Sequence, residues 1–176
     1  MIILGIDPGS RNTGYALINI NGKKLTYIAS GTIVLTNEKD FNKRLCRVHE
    51  EVTKIVEKYK PSEIAFESLI YVKNPTSLIK LSQTRGAMIS ALGKLAKVFE
   101  YAPNTIKSAV TGHGHATKES IQKTLKMIYG ELVYKTHDES DALAIATCHG
   151  LSRKFGRTSV SKSKPSSLRN AFKHFK

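Results

Sequence analysis

The chain has 176 residues, 40% hydrophobic and 24% charged, enough for one compact α/β domain with its own core. Its 28 Lys and Arg against 14 Asp and Glu give a net charge of +14, which points to a polyanion: nucleic acid first, an anionic membrane second. No apolar run approaches the length of a membrane span, which argues against a membrane protein.

The start, MIILGIDPG, lacks a basic leader and a small-residue cleavage site, so it is expected to be a strand in a cytoplasmic protein. Cys46 and Cys148 both fall in helical patterns and are expected to be buried thiols. The charge is uneven. Residues 151–176 hold eight Lys or Arg and no acid, leaving the body 20 basic against 14 acidic groups. Residues 1–152 are therefore expected to form the domain and 153–176 a flexible basic tail. A merely solubilising tail on an ordinary enzyme is the plain alternative.

In chain order, residues 2–6 (IILGI) form an apolar run ending on Asp7, the pattern of a buried central strand. The loop GSRNTG leads into a second strand, TGYALINI, and Asn21-Gly22 signals a hairpin into a third, KLTYIASGTIVL. An antiparallel meander follows from those turns. From about Glu38 to Tyr59 the apolar residues take a helical period. SEIAFE is a short strand ending on Glu67. A long helix, about residues 74–95, carries a stripe of Gly86, Ala87, Ser90, Ala91 and Gly93, which suits either a core or a dimer seam. KVFEYAP is a fifth strand, TIKSAV a short helical turn, TGHGHATK a loop, ESIQKTLKMIYG a helix, and the last helix begins after Thr136. The expected fold is α/β, a mixed five-stranded sheet flanked by helices.

The segment HDESDALAIATCHG poses a problem of charge: a basic chain places Asp138, Glu139 and Asp141 at the head of an apolar helix. Thr136 and Glu139 have the spacing of a capping box, which explains Glu139. Asp138 and Asp141 are left over, about 60° apart on one helical face. Asp7 and Glu67 each end an apolar strand, where a carboxylate is costly to desolvate without a compensating cation. If those strands are parallel neighbours, their acids sit side by side, and the final helix can bring two more. Four close carboxylates repel unless they share protons or a hard divalent ion such as Mg²⁺. Two such ions about 3.5–4 Å apart suit the attack of water on a phosphodiester. In IDPGSRNTG, Gly9 and Gly14 would let the backbone approach a phosphate, with Arg11 and Asn12 as donors. Actin-like kinases use a similar loop, but they need two domains.

GIDPGSRNTGYALI, IAFESLIYVKNPTSLIKLSQTRG, YAPNTIKSAVTGHGHATK and HDESDALAIATCHG, in that order, resemble the RuvC family of Holliday-junction resolvases, within the RNase H-like superfamily. The likeness covers roughly residues 1–152. It implies an RNase H-like fold and a homodimeric endonuclease that nicks two opposed strands of a four-way DNA junction in recombination and repair. It also implies Mg²⁺ as cofactor, two per subunit with Mn²⁺ as a substitute, and a branch-migration motor as a further partner.

Carried over by position, Asp7, Glu67, Asp138 and Asp141 would be the catalytic, metal-binding carboxylates, with Lys107 and Lys118 beside the scissile phosphate. Arg11, Asn12, Ile70, Tyr71 and Lys73 are further DNA-contact candidates. Family members often carry an aromatic three positions after the glutamate; here that position is Ile70, with Tyr71 next. His113 and His115 are taken as part of a loop that sets Lys118 at a helix start, not as metal ligands. Two alternatives stand beside this: a related RNase H-like nuclease on another nucleic acid, and a junction-binding protein without cleavage.

Overall fold

A computed structural model of the chain describes residues 1–22, 24–69, 74–92 and 97–154. The first three strands are β1 (Ile2–Asp7), β2 (Asn12–Asn21) and β3 (Lys24–Val34), paired antiparallel as the turns predict, with Gly22 at φ 57° in the hairpin. Helix α1 (Phe41–Tyr59) starts after Asp40, whose carboxylate accepts from the amides of Asn42 and Lys43 at 2.8 and 3.1 Å. Its buried residues Val48, Val52 and Val56 recur every four positions, and Lys60 ends it at φ 46°.

Strand β4 (Glu63–Glu67) runs parallel to β1, and β5 (Lys97–Tyr101) parallel to β4. The sheet order is β3-β2-β1-β4-β5. Helix α2 (Pro75–Leu92) lies between β4 and β5 in sequence, and α3 (Pro103–Thr111), α4 (Lys118–Tyr129) and α5 (His137–Lys154) follow β5. Helix α3 is longer than the expected turn because Pro103 serves as its first residue, where no amide is needed.

Strand alternation sorts the core into two layers. Leu4, Ile6, Leu17 and Phe66 pack with Val48, Val52 and Val56 of α1 and Met88 and Leu92 of α2. On the other side Ile3, Ala16, Ile18 and Ala65 pack against Leu143, Ile145 and Ala146 of α5. Helix α5 is buried almost all round because it fits tightly on β1: a Cβ at Gly5 would stand 2.3 Å from the Ala142 carbonyl oxygen. That close seat places the start of α5 at the end of β1.

Two expectations change. Glu139 does not close a capping box: its Oε2 accepts from Ser30 Oγ at 2.6 Å, while Thr136 Oγ1 lies 2.5 Å from Thr32 Oγ1. Both side chains tie α5 to β3 instead. Cys148 is buried as expected, but Cys46 is exposed on the outer side of α1, off the Val48–Val52–Val56 stripe.

Candidate active site

Ile6 pairs with Phe66 in the parallel register of β1 and β4, so Asp7 and Glu67 come next to each other at the ends of adjacent strands. Both belong to the alternation that faces α5, with Gly5 and Ala65 two positions earlier. Together with Asp141 of α5, Lys107 of α3 and Lys118 of α4 they line one cavity of about 300 Å³. Its remaining walls include Ile106, Ile121 and Ile145. Apolar walls lower the local dielectric and sharpen every charge interaction inside.

Asp138 does not line that cavity but sits against it. Gly14 pairs with Asp7 across β1 and β2, and a Cβ on Gly14 would stand 2.0 Å from the Asp138 carbonyl oxygen. The glycine is needed so that the first turn of α5 can rest on β2. Gly9 likewise serves the loop itself, since a Cβ there would meet the Asn12 carbonyl oxygen at 1.9 Å. At both glycines the chain's close approach to itself already requires that the side chain be missing.

The electrostatics match the crowding. Burial, then Asp141, Glu67 and Asp138, push Asp7 up from 3.8 to about 7, against the opposing pull of Lys118. Glu67 is also raised, by burial first and Asp141 second, with Lys107 and Lys118 opposing. Lys118 Nζ donates to Asp141 Oδ2 at 3.1 Å, and that bond holds Lys118 above its usual value. Four carboxylates face Lys107 and Lys118, so the site carries more negative than positive charge.

Among the described residues, no three His, Cys, Asp or Glu side chains close around a single point as a preformed metal cage. The donor set nonetheless fits a hard divalent ion: carboxylate oxygens from four positions and a pKa near neutrality that a cation would bring down.

Lys118 is the first residue of α4, after Thr117, whose hydroxyl accepts the Ser120 amide at 3.3 Å. The loop containing His113 and His115 thus leads into that helix start. Arg11 and Asn12 are exposed at the entry to β2, outside the cavity lining. Ile70, Tyr71, Lys73 and the tail after residue 154 lie outside the described residues.

A buried network has no counterpart in the sequence reading. His149 Nδ1 lies 2.6 Å from Tyr101 Oη and its Nε2 2.8 Å from Glu63 Oε2, and Arg153 also pairs with Glu63. It fastens the second half of α5 to β4 and β5. The only signal for it was a polar residue at core-facing positions of strand and helix.

A mixed sheet of this order, with acids from two adjacent parallel strands and a final helix at one edge, is the RNase H-like nuclease fold. The chain belongs to the family described as crossover junction endodeoxyribonuclease RuvC, whose model matches residues 3–149. Relatives of that name from Rhizobium johnstonii and Sinorhizobium medicae are each 42% identical over 152 residues, covering 86% of this chain and 90% and 91% of theirs. Thermus thermophilus RuvC in complex with Holliday junction substrate superposes with a TM-score of 0.83 at 26% identity, over 89% of this chain and 97% of that one. The yeast mitochondrial Holliday junction resolvase shares the fold, with a TM-score of 0.64 at 16% identity, over 88% of this chain and 82% of that one.

Proposed function

We propose that the chain resolves four-way DNA junctions by paired, symmetric hydrolysis of two phosphodiester bonds. One observation carries this reading: Asp7, Glu67 and Asp141 share a cavity with Lys107 and Lys118, in a member of a junction-nuclease family. Asp7, Glu67, Asp138 and Asp141 are assigned as the metal-binding carboxylates. When bound there, Mg²⁺ or Mn²⁺, two ions per subunit, would supply an activated water and neutralise charge on the leaving oxygen.

The protein's own groups do the rest. Asp7 and Glu67, side by side at the strand ends, would hold such an ion and so position the reacting phosphate. Lys107 and Lys118 enter from α3 and α4, and their ammonium groups are assigned to non-bridging phosphate oxygens as charge builds there. Lys118 exchanges Asp141 for phosphate at little cost, because both partners are partly solvated. Arg11 and Asn12 would contact the substrate outside the cavity, and Ile70, Tyr71 and Lys73 are assigned to DNA contact as well.

Pairing of the nicks requires two subunits. Helix α2 supports a homodimer: its inner face buries Thr84, Arg85, Met88 and Leu92, while Ile79 and Ile89 stay 58% and 39% exposed. Gly86 lies on that outer face with nothing within 4 Å of a built Cβ. The small-residue stripe therefore divides, with Ala87 and Ala91 toward the core and Gly86 and Ser90 outward. A two-fold dimer matches a two-fold substrate. The nuclease domain is assigned to residues 1–152 and non-specific phosphate contact to the basic residues of 153–176. A cytoplasmic location and a branch-migration motor as partner go with the family.

A synthetic four-way junction incubated with and without Mg²⁺ tests this. Symmetric paired nicks only with Mg²⁺ support it; a stable complex without product in either condition supports a non-cleaving binder.

A further inference from the structure

On the other face of the sheet from the acid cavity, α1 and the β2–β3 pair enclose a groove of about 420 Å³. Arg47, Glu51, Lys54 and Lys58 line it at spacings of four, three and four, one continuous stripe of the helix. Tyr15 and Tyr59 complete the wall. Tyr15 lies flat across β3 because Gly31 has no side chain: a Cβ there would stand 2.5 Å from the phenol oxygen.

The groove has more donors than acceptors. Its carboxylate, Glu51, is already bonded to Lys54 Nζ at 2.7 Å. Among the described residues Arg47 and Lys58 make no ion pair, and neither phenol has a hydrogen-bond partner; Lys58 Nζ stands 4.9 Å over the Tyr59 ring. A guanidinium, an ammonium and two phenols without acceptors call for an anion with several oxygens, the chemistry of a phosphodiester.

The groove also opens toward the catalytic edge. Its lining includes Thr32 and Val34, and Thr32 pairs with Gly14, which pairs with Asp7. That row puts the rim two strand spacings, about 10 Å, from Asp7. Beside that rim the backbone of the exposed Arg11 is fixed, its carbonyl accepting the Leu35 amide at 2.9 Å. Arg11 thus stands as an exposed cation next to the Asn12–Val34 pair at the groove's rim.

We propose that the α1/β2–β3 groove grips backbone phosphates of a junction arm, through Arg47, Lys58 and the Tyr15 and Tyr59 hydroxyls, as a DNA contact separate from the catalytic cavity. The proposal rests on the junction reading above. Its role is affinity and not chemistry, because no groove residue lines the acid cavity.

The test is the full-length double variant Arg47→Ala/Lys58→Ala. Junction affinity is measured without Mg²⁺ over a salt series, and single-turnover cleavage with Mg²⁺ at saturating junction. The expected result is several-fold weaker binding, with the slope of log K against log salt reduced by about 0.9 for each phosphate that the variant no longer neutralises. Cleavage of bound junction stays within twofold of wild type, and Arg47→Lys/Lys58→Arg restores the slope. The control, Lys24→Ala/Lys97→Ala, removes the same charge at the strand starts on the opposite edge of the sheet and leaves the slope unchanged.

Equal weakening in the control, or an unchanged slope in the groove variant, overturns the proposal. So does binding of inorganic phosphate by wild type but not by the variant when junction affinity is unaltered, since the groove then serves a free phosphate. Failure of wild type itself to cut the junction strikes the function reading instead and is seen separately.

Discussion

The carbonyl oxygen of Asp138 lies where a side chain on Gly14 would begin, 2.0 Å from a built Cβ. Through that contact β2 sets how near the last helix comes to Asp7. Gly14→Ala must lift the first turn of α5 from β2. Overpacking of this kind costs about 1–3 kcal/mol. Displacing one catalytic element by about 1 Å costs on the order of 100-fold in rate. Cleavage is therefore expected to fall much further than the melting temperature suggests. A variant with normal cleavage would show that the spacing of Asp138 from Asp7 does not matter.

Gly86→Ala reports the opposite kind of glycine. Nothing stands within 4 Å of its added methyl, so helix propensity alone should stabilise the isolated subunit by about 1 kcal/mol. In a seam formed by α2 the same methyl holds two helices apart. Sedimentation should show a weaker dimer. An unchanged dimer places the interface elsewhere.

Asp7 supplies a pH signature. Its folded-state pKa of about 7 lies above the ordinary 3.8. A raised acid favours the fold most when protonated, so this contribution is complete below about 3.8 and lost as pH rises through about 7. Metal-free Asp7→Asn is expected to melt above metal-free wild type at about pH 8, with the gap closing near pH 4. Added Mg²⁺ should raise the melting point of wild type at the higher pH and leave the variant nearly unmoved. Equal melting points across the range would mean that the acids do not repel.

His149 has the opposite sign. Burial lowers its pKa below the usual 6.5, although the bond and charge of Glu63 pull the other way. One neutral tautomer satisfies both neighbours: Nε2–H donates to Glu63 and Nδ1 accepts the Tyr101 hydroxyl proton. With the folded value depressed, its contribution is complete above about 6.5 and lost as pH falls below it. In the Asp7→Asn background, where Asp7 no longer adds its opposing trend, stability should drop more steeply on acidification through that window. His149→Gln should flatten the trend while costing about 1–3 kcal/mol overall. A slope unaltered by that substitution would assign the acid loss to another group.

Much of this site could be read from local pattern. Asp7 and Glu67 stand out because an acid after a run of three to five apolar residues is costly, whereas the parallel pairing of β1 with β4 is open in the sequence and comes from the fold. The helix of Asp138 and Asp141 was equally plain. Pattern failed where partners are distant in sequence. Glu139 had the spacing of a cap, yet Ser30, 109 residues earlier, takes its carboxylate. Glu63, Tyr101, His149 and Arg153 come from three elements, and no period links them. Which face of α1 bears Cys46, and that Arg47 and Lys58 border a groove with Tyr15, depends on how the helix is turned against β2 and β3.

Mapping the cut sites on all four strands of a synthetic junction, with wild type and Asp7→Asn in Mg²⁺, goes to the central claim. Wild type should give two nicks at symmetry-related positions on opposed strands, and Asp7→Asn should bind the junction without cutting it. Efficient cutting by Asp7→Asn, or unpaired cutting of linear duplex at the same rate as the junction, would contradict the account.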